Sequence, residues 1–246
     1  MKRTLMLLAV LGALTVAIRA EDELTFFGEV ARADGVVRLF RGGEEHMLSA
    51  EDGIFDGDTI VTEGEASVEV SMGDGNDIVI LPASKVSFDA REEGAEGRLK
   101  IGLKLDLGSL RCKLDAWKAG DTFEVRSPVA VAGVRGTDFL ASYDEKSEEP
   151  FEVSVLNGQV EMRSQLRKML EPRVIFAKHR ATASRAGDLR PLREIAPEKI
   201  EELRKRFVFR QGLRRFLGSR AELRRGVLEK LREAPRRRRA IHRRRP

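Results

Sequence analysis

Residues 122–143 read TFEVRSPVAVAGVRGTDFLASY, and the fold is decided there. Phe123 and Val125 alternate with polar neighbours, as on a strand with one buried face. Pro128 cannot donate to a ladder at its own nitrogen, and residues 129–134 form a run of small apolar side chains. Gly133 and Gly136 flank Val134 and Arg135, a spacing that suits a tight bend with positive φ at one or both glycines. Phe139 and Leu140 then resume the strand pattern, so the stretch reads as two buried strands pinched around a turn.

Upstream the same texture continues. Short extended segments at 25–32, 36–40, 59–62, 67–72, 77–81 and 85–88 are separated by Asp34-Gly35, Gly42-Gly43, Asp56-Gly57, Glu63-Gly64, Asp74-Gly75 and Pro82. Further segments fall at 98–105, 109–114, 122–126, 137–143, 151–156, 159–163 and 173–176. With no helical period between them, a doubly wound α/β layout is excluded. In SVEVSM the valines and Met72 alternate with Ser67, Glu69 and Ser71, which predicts a solvated face for this strand. IVILP has no alternation and should be buried more deeply.

The 246 residues suffice for one ordinary domain with appendages. Aromatic content is 6% and charged content 35%, so the core must rest on Val, Ile and Leu in thin layers. The single cysteine, Cys112, rules out an intramolecular disulfide framework or a multi-cysteine metal site, and alternation in LRCKL places it inward as an inert thiol. Residues 198–246 hold 19 Lys and Arg against 6 Glu, a net +13 against +5 for the whole chain, which leaves −8 for the rest. The protein is an acidic body with a basic end.

At the N-terminus Lys2 and Arg3 precede an apolar run at 5–18, followed by Arg19-Ala20 and the acidic Glu21-Asp22-Glu23. The run is shorter than the ~20 apolar residues that span a bilayer, so residues 1–20 read as a signal peptide cleaved after Ala20, with retention as an N-terminal anchor the alternative. Residues 24–185 form the β domain and 186–197 a linker by composition. Residues 198–234 read as two amphipathic helices, an α-helical hairpin: Ile200, Leu203, Phe207, Leu213, Phe216 and Leu217 make one stripe, and Leu223, Val227, Leu228 and Leu231 the other. Ser219 and Glu222 match a capping box between them. The Arg-rich tail, residues 235–246, is too charged to pack and is expected to be disordered.

RSPVAVAGVRGTDF, followed by VSVLNGQVEM, resembles the FecR domain family, with its Ser-Pro, small apolar run, Arg-Gly-Thr and later Gly-x-Val turn. DGIFDGDTIVTEGEASVEVSMGDGNDIVILPASKVSF is similar to the earlier half of that domain, and together the segments cover about residues 36–160. The resemblance implies a mainly β fold, a β-roll, twisted β-solenoid or sandwich of many short strands, found in signalling regulators and in exported proteins.

Arg135, Gly136 and Thr137 are the first candidate binding residues, because Arg suits a carboxylate or phosphate partner, although glycines at a turn serve the fold first. The second set is Arg236, Arg237, Arg238, Arg239, Arg243, Arg244 and Arg245, which can neutralise phosphates or lipid headgroups. No aromatic is interleaved there for base stacking, which argues against nucleic acid and for an envelope protein, an anionic envelope polymer or a membrane surface. GDGNDIVI resembles one turn of a calcium-binding nonapeptide repeat, with Asp74 and Asp77 as ligands, but one copy lacks half of the ligands and no second copy occurs. His46, His179 and His242 have no metal-ligand spacing, and no nucleophile motif is present. The expectation is an exported, non-catalytic, cofactor-free binding or scaffolding module of the bacterial periplasm or envelope, of open oligomeric state. The alternative that the resemblance implies is a membrane-anchored regulator of an extracytoplasmic-function sigma factor. Such regulators carry a cytosolic helical region before the membrane segment, and only residues 1–3 precede the apolar run here.

Overall fold

The computed structural model describes residues 25–73, 75–93, 98–115, 120–134, 136–206 and 222–229. In chain order its strands are β1 (Phe26–Asp34), β2 (Val37–Arg41), β3 (Glu44–Met47), β4 (Gly53–Phe55), β5 (Thr59–Thr62), β6 (Ser67–Gly73), β7 (Asn76–Ile80) and β8 (Ser84–Glu93). They continue as β9 (Arg98–Leu114), β10 (Thr122–Arg126), β11 (Ala130–Val134), β12 (Asp138–Tyr143), β13 (Phe151–Asn157) and β14 (Gln159–Ser164). Last come β15 (Arg173–Phe176), β16 (His179–Ala183), β17 (Arg193–Glu194) and the helices α1 (Pro197–Arg206) and α2 (residues 222–229).

Two sheets share β9. Sheet A runs β4-β1-β6-β7-β9-β12-β13-β16-β17. Sheet B runs β3-β2-β5-β8-β9-β10-β11-β14-β15, and only its β9–β10 pair is parallel. Each sheet thus takes four strands from either side of β9 in the chain. The protein is mainly β, with the core between the two inner faces. Phe27, Ile60, Leu103, Phe123, Phe139 and Phe151 are fully buried in that one cluster, each contributing roughly 1.5–3 kcal/mol by leaving water.

The segments expected at 98–105 and 109–114 are one continuous strand. Its first part pairs with β8 in sheet B, and from Gly108 onward it pairs with β12 in sheet A. Gly108 has φ +88°, and a Cβ there would stand 2.1 Å from the Ser84 hydroxyl. The glycine is therefore the corner where the strand changes sheets, and Ser109 N–H donates to Ser84 Oγ at 2.9 Å beside it.

The solvated face expected for β6 is not solvated. Glu69 and Ser71 are 6% and 5% exposed, and Ser71 lies opposite Glu29 and Asp77 in the middle of sheet A. Alternation reports which side a residue faces, not what lies over that side. The unbroken run in and after β7 is buried on both faces because Val79 and Leu81 pack outward against Ile195, just before α1, and against Ile200 and Leu203 on it. The segment 186–197, a linker by composition, carries β17 and lays Leu189 and Leu192 on the main core, since its backbone pairs with β16.

Both helices pack on the β body. Leu223 and Val227 of α2 cover Phe26 and Phe55, whose rings meet edge to face with centroids 5.7 Å apart. Residues 1–24, the junction at 207–221 and the tail lie outside the described residues, as do Asp74 and Arg135. Among the described residues, no helix is long and apolar enough to cross a membrane.

Candidate functional site

The motif residues that the sequence singles out are, where described, built into the fold. Gly136 has φ +58° at the corner where the chain leaves β11 of sheet B for β12 of sheet A. Thr137 is 3% exposed, and its carbonyl accepts from Leu114 N–H at 3.0 Å. The buried Thr137 Oγ1 has no hydrogen-bond partner among the described residues. Asp138 does not turn toward the corner. It accepts from Arg111 Nε at 2.8 Å and Nη2 at 2.6 Å, a two-pronged pair on the outer side of sheet A. Beneath it, burial, with the Asp138 charge as a lesser cause, pushes the Cys112 thiol well up, so it stays protonated and unreactive.

The Gly-Asp that opens the β5 motif has a similar role. Asp58 is fully buried and accepts from Arg41 Nε at 2.7 Å, Arg41 Nη2 at 2.6 Å and Phe55 N–H at 2.8 Å. Arg41 also donates to the Gly53 carbonyl at 2.7 Å and lies over the Phe55 ring at 4.8 Å. One guanidinium from β2 of sheet B thereby clamps β4 of sheet A. Nothing in the spacing of Arg41 and Asp58 announces that pair.

Asp77, the described half of the calcium resemblance, lies on the outer side of sheet A opposite Lys113. Burial raises its carboxyl above the usual range, partly opposed by a hydrogen bond from Ser71 and the Lys113 charge. Among the described residues, no group of three or more His, Cys, Asp or Glu is placed to hold a metal ion. The tail arginines 236–239 and 243–245, like Arg135, lie outside the described residues.

A surface that no motif marked lies on the outer face of sheet B. Glu124 on β10 accepts from Arg126 Nε at 3.1 Å and from Arg163 Nη2 on β14 at 2.6 Å, and Arg126 Nη1 reaches Asp89 on β8 at 3.3 Å. Register sets this row, because Glu124 stands opposite Gly102 on one side and Gly133 on the other. The missing side chains leave shallow hollows. One of about 430 Å³ lies over Gly102 beside Lys100 and Thr122, and one of about 360 Å³ lies over Gly133 beside Glu161 and Arg163. A third, of about 330 Å³ and mostly apolar, is walled by Phe88, Pro128 and Gln165. Exposed pairs of this kind add little stability, ~0–1 kcal/mol each. Alternation in TFEVR did point Glu124 and Arg126 outward, but only pairing brings Arg163 and Asp89 to them.

Fold and surface together define a two-sheet β domain that presents a charged, glycine-floored sheet face. Residues 58–161 match the family model for FecR protein. Two crystal structures of a "putative anti-sigma factor" from Parabacteroides distasonis, at 1.65 and 2.50 Å resolution, are similar to it. Each is 16% identical, with TM-scores of 0.47 and 0.46. The matches cover 59% and 58% of this chain, and 63% and 62% of those chains, so this protein spans less than two thirds of their length. No curated protein matches.

Proposed function

We propose that the protein is an exported, non-catalytic FecR-domain binding module of the cell envelope, and that the outer face of sheet B is its recognition surface. One observation carries this reading: α1 and α2 pack on sheet A residues, while Arg126 and Arg163 on sheet B keep 44% and 48% of their side-chain surface in water. The hollows there are open and shallow, two with charged walls and the third mostly apolar. Such a face holds an extended polar or peptide partner laid across the strands and has no means of enclosing a reacting bond. Export follows from the N-terminal segment, with its two basic residues, short apolar run and Ala20.

The test has two parts. Protease added to intact and outer-membrane-permeabilised cells should degrade the protein only when it has access to the envelope, and protection in both cases overturns export. Envelope extract passed over the wild type and over Glu124→Arg with Arg163→Glu should lose a shared partner in the charge-reversed variant. A partner held equally by both removes sheet B as the recognition face.

The FecR domain at 58–161 also favours a second reading, control of an extracytoplasmic-function sigma factor. Co-purification with a sigma factor from cross-linked cells would support it, and absence of any such factor would remove it.

A further inference from the structure

The chain holds two asparagines, Asn76 and Asn157, and the fold treats them oppositely. Asn76 opens β7, is 6% exposed, and is paired on both sides, with Gly73 of β6 and Leu114 of β9. Asp77 follows it, so a side chain crowds the next amide nitrogen. Asn157 ends β13 exposed to water, and Gly158 follows.

Strand pairing is thin around this second asparagine. β13 is flanked by β12 and β16, but the pairing with β16 stops at Val155, which leaves Asn157 one ladder partner, Asp138. Even that pair lies beyond a bulge, since Asp138 stands opposite Asn157 while Phe139 stands opposite Val155. Gly158 belongs to neither strand: it is exposed, has φ +81°, and carries the chain from sheet A to β14 of sheet B. A glycine nitrogen, with no side chain on its own α-carbon, is the least hindered amide nucleophile a chain offers. Rotation about the Asn157 backbone brings it to the Asn157 carboxamide with few ladder bonds to break.

We infer that Asn157–Gly158 is a site of self-modification in the folded protein, where asparagine loses ammonia to give aspartate and isoaspartate. The Gly158 amide nitrogen gives up its proton and attacks Asn157 Cγ. The new C–N bond closes a five-membered imide, the Cγ–Nδ2 bond breaks, and Nδ2 leaves as ammonia with a proton returned to it. Water then opens the imide. Attack at the side-chain carbonyl leaves an ordinary aspartate at position 157, and attack at the backbone carbonyl leaves isoaspartate, with Cβ inserted into the main chain. The sum is asparagine plus water to aspartate plus ammonia, with no oxidant or reductant.

Both products act on the corner between the sheets. Each places a carboxylate opposite Asp138, the partner of Arg111, and like charges directly opposite destabilise a strand pair. Isoaspartate also lengthens the backbone where there is no room for it, because a Cβ on Gly158 would already stand 2.6 Å from Thr137 Cγ2. The isoaspartate form therefore loosens the crossing from β13 to β14.

The experiment holds the full chain at mildly alkaline pH and physiological temperature, digests it, and weighs the peptides bearing positions 76 and 157. Position 157 should exchange NH2 for OH progressively, faster as pH rises, with position 76 unchanged. An isoaspartyl methyltransferase should methylate the aged wild type. Asn157→Gln should lose that signal, because its imide needs a less favourable six-membered ring. Aged wild type should also melt earlier than fresh protein, a loss absent from aged Asn157→Gln. Conversion at 157 only after urea unfolding overturns the inference, because the fold then protects the site. Equal conversion at 76 also overturns it, since the fold would then select nothing. So does an undiminished methylation signal in Asn157→Gln, which would place the reaction at Asp-Gly pairs such as Asp34-Gly35. None of these outcomes depends on what sheet B binds or on where the protein resides.

Discussion

A Cβ built on Gly158 would stand 2.6 Å from Thr137 Cγ2 and 2.8 Å from the Gly136 carbonyl oxygen, so the turn after β13 lies directly on the corner before β12. Two short motifs about twenty residues apart are therefore one packing contact, and both mark places where the chain crosses between sheets A and B. Gly158→Ala meets that clash at φ +81° and should cost about 2–4 kcal/mol. Gly136→Ala, at φ +58° with nothing nearer than the Leu114 carbonyl at 3.8 Å, should cost only about 1 kcal/mol. Urea unfolding of the two variants separates them, and equal losses would show that backbone conformation alone matters at Gly158.

Thr137→Val keeps the shape of a buried side chain whose hydroxyl has no partner among the described residues. Stability should be unchanged or rise by up to about 1 kcal/mol. A loss of more than that would mean the hydroxyl is hydrogen-bonded, and loss of partner binding at unchanged stability would make Thr137 a recognition residue.

Arg41→Ala removes two of the three hydrogen bonds described above for the buried Asp58 carboxylate and leaves that from the Phe55 N–H. Removing one member of a buried pair costs roughly 3–5 kcal/mol. Asp58→Asn keeps the acceptor oxygen and should cost less than Asp58→Ala. Thermal unfolding with circular dichroism ranks the three variants, and an Arg41→Ala protein as stable as wild type would contradict the clamp between the sheets.

Burial holds the folded Asp77 carboxyl above its ordinary value of 3.8. The folded state therefore binds the proton more tightly than the unfolded chain. Asp77 costs nothing below pH 3.8, and its penalty grows as pH rises from there through the folded value, where it is complete. Asp77→Asn should stabilise the protein at neutral pH and lose that advantage as pH falls below the ordinary carboxylate range. Urea midpoints of both proteins from pH 3 to 7 give the difference curve, and a constant offset would show that the gain has another origin.

Leu223 and Val227 of α2 cover Phe26 and Phe55, and a Cβ on Gly53 would sit 2.3 Å from Val227 Cγ1. Leu223→Asp with Val227→Asp should detach the helix and speed amide exchange in β1 and β4, leaving β10, β11 and β14 unchanged. Uniform acceleration over both sheets would mean instead that α2 supports the whole fold.

The sequence by itself determined the class of fold, the turn at Gly136, the outward side of Glu124 and the inward side of Cys112. Each depends on residues adjacent in the chain, through positive φ at glycine or two-residue alternation. The tertiary structure decided that residues 98–114 are one strand serving two sheets, that helices lie over sheet A, and that Glu69 and Ser71 are covered. It also joined Glu124 to Arg163, 39 positions away, and Arg41 to Asp58, 17 away. Such pairs arise from strand register and sheet order, which many distant contacts set together, so a charged residue on a strand shows its side of the sheet long before it shows its partner.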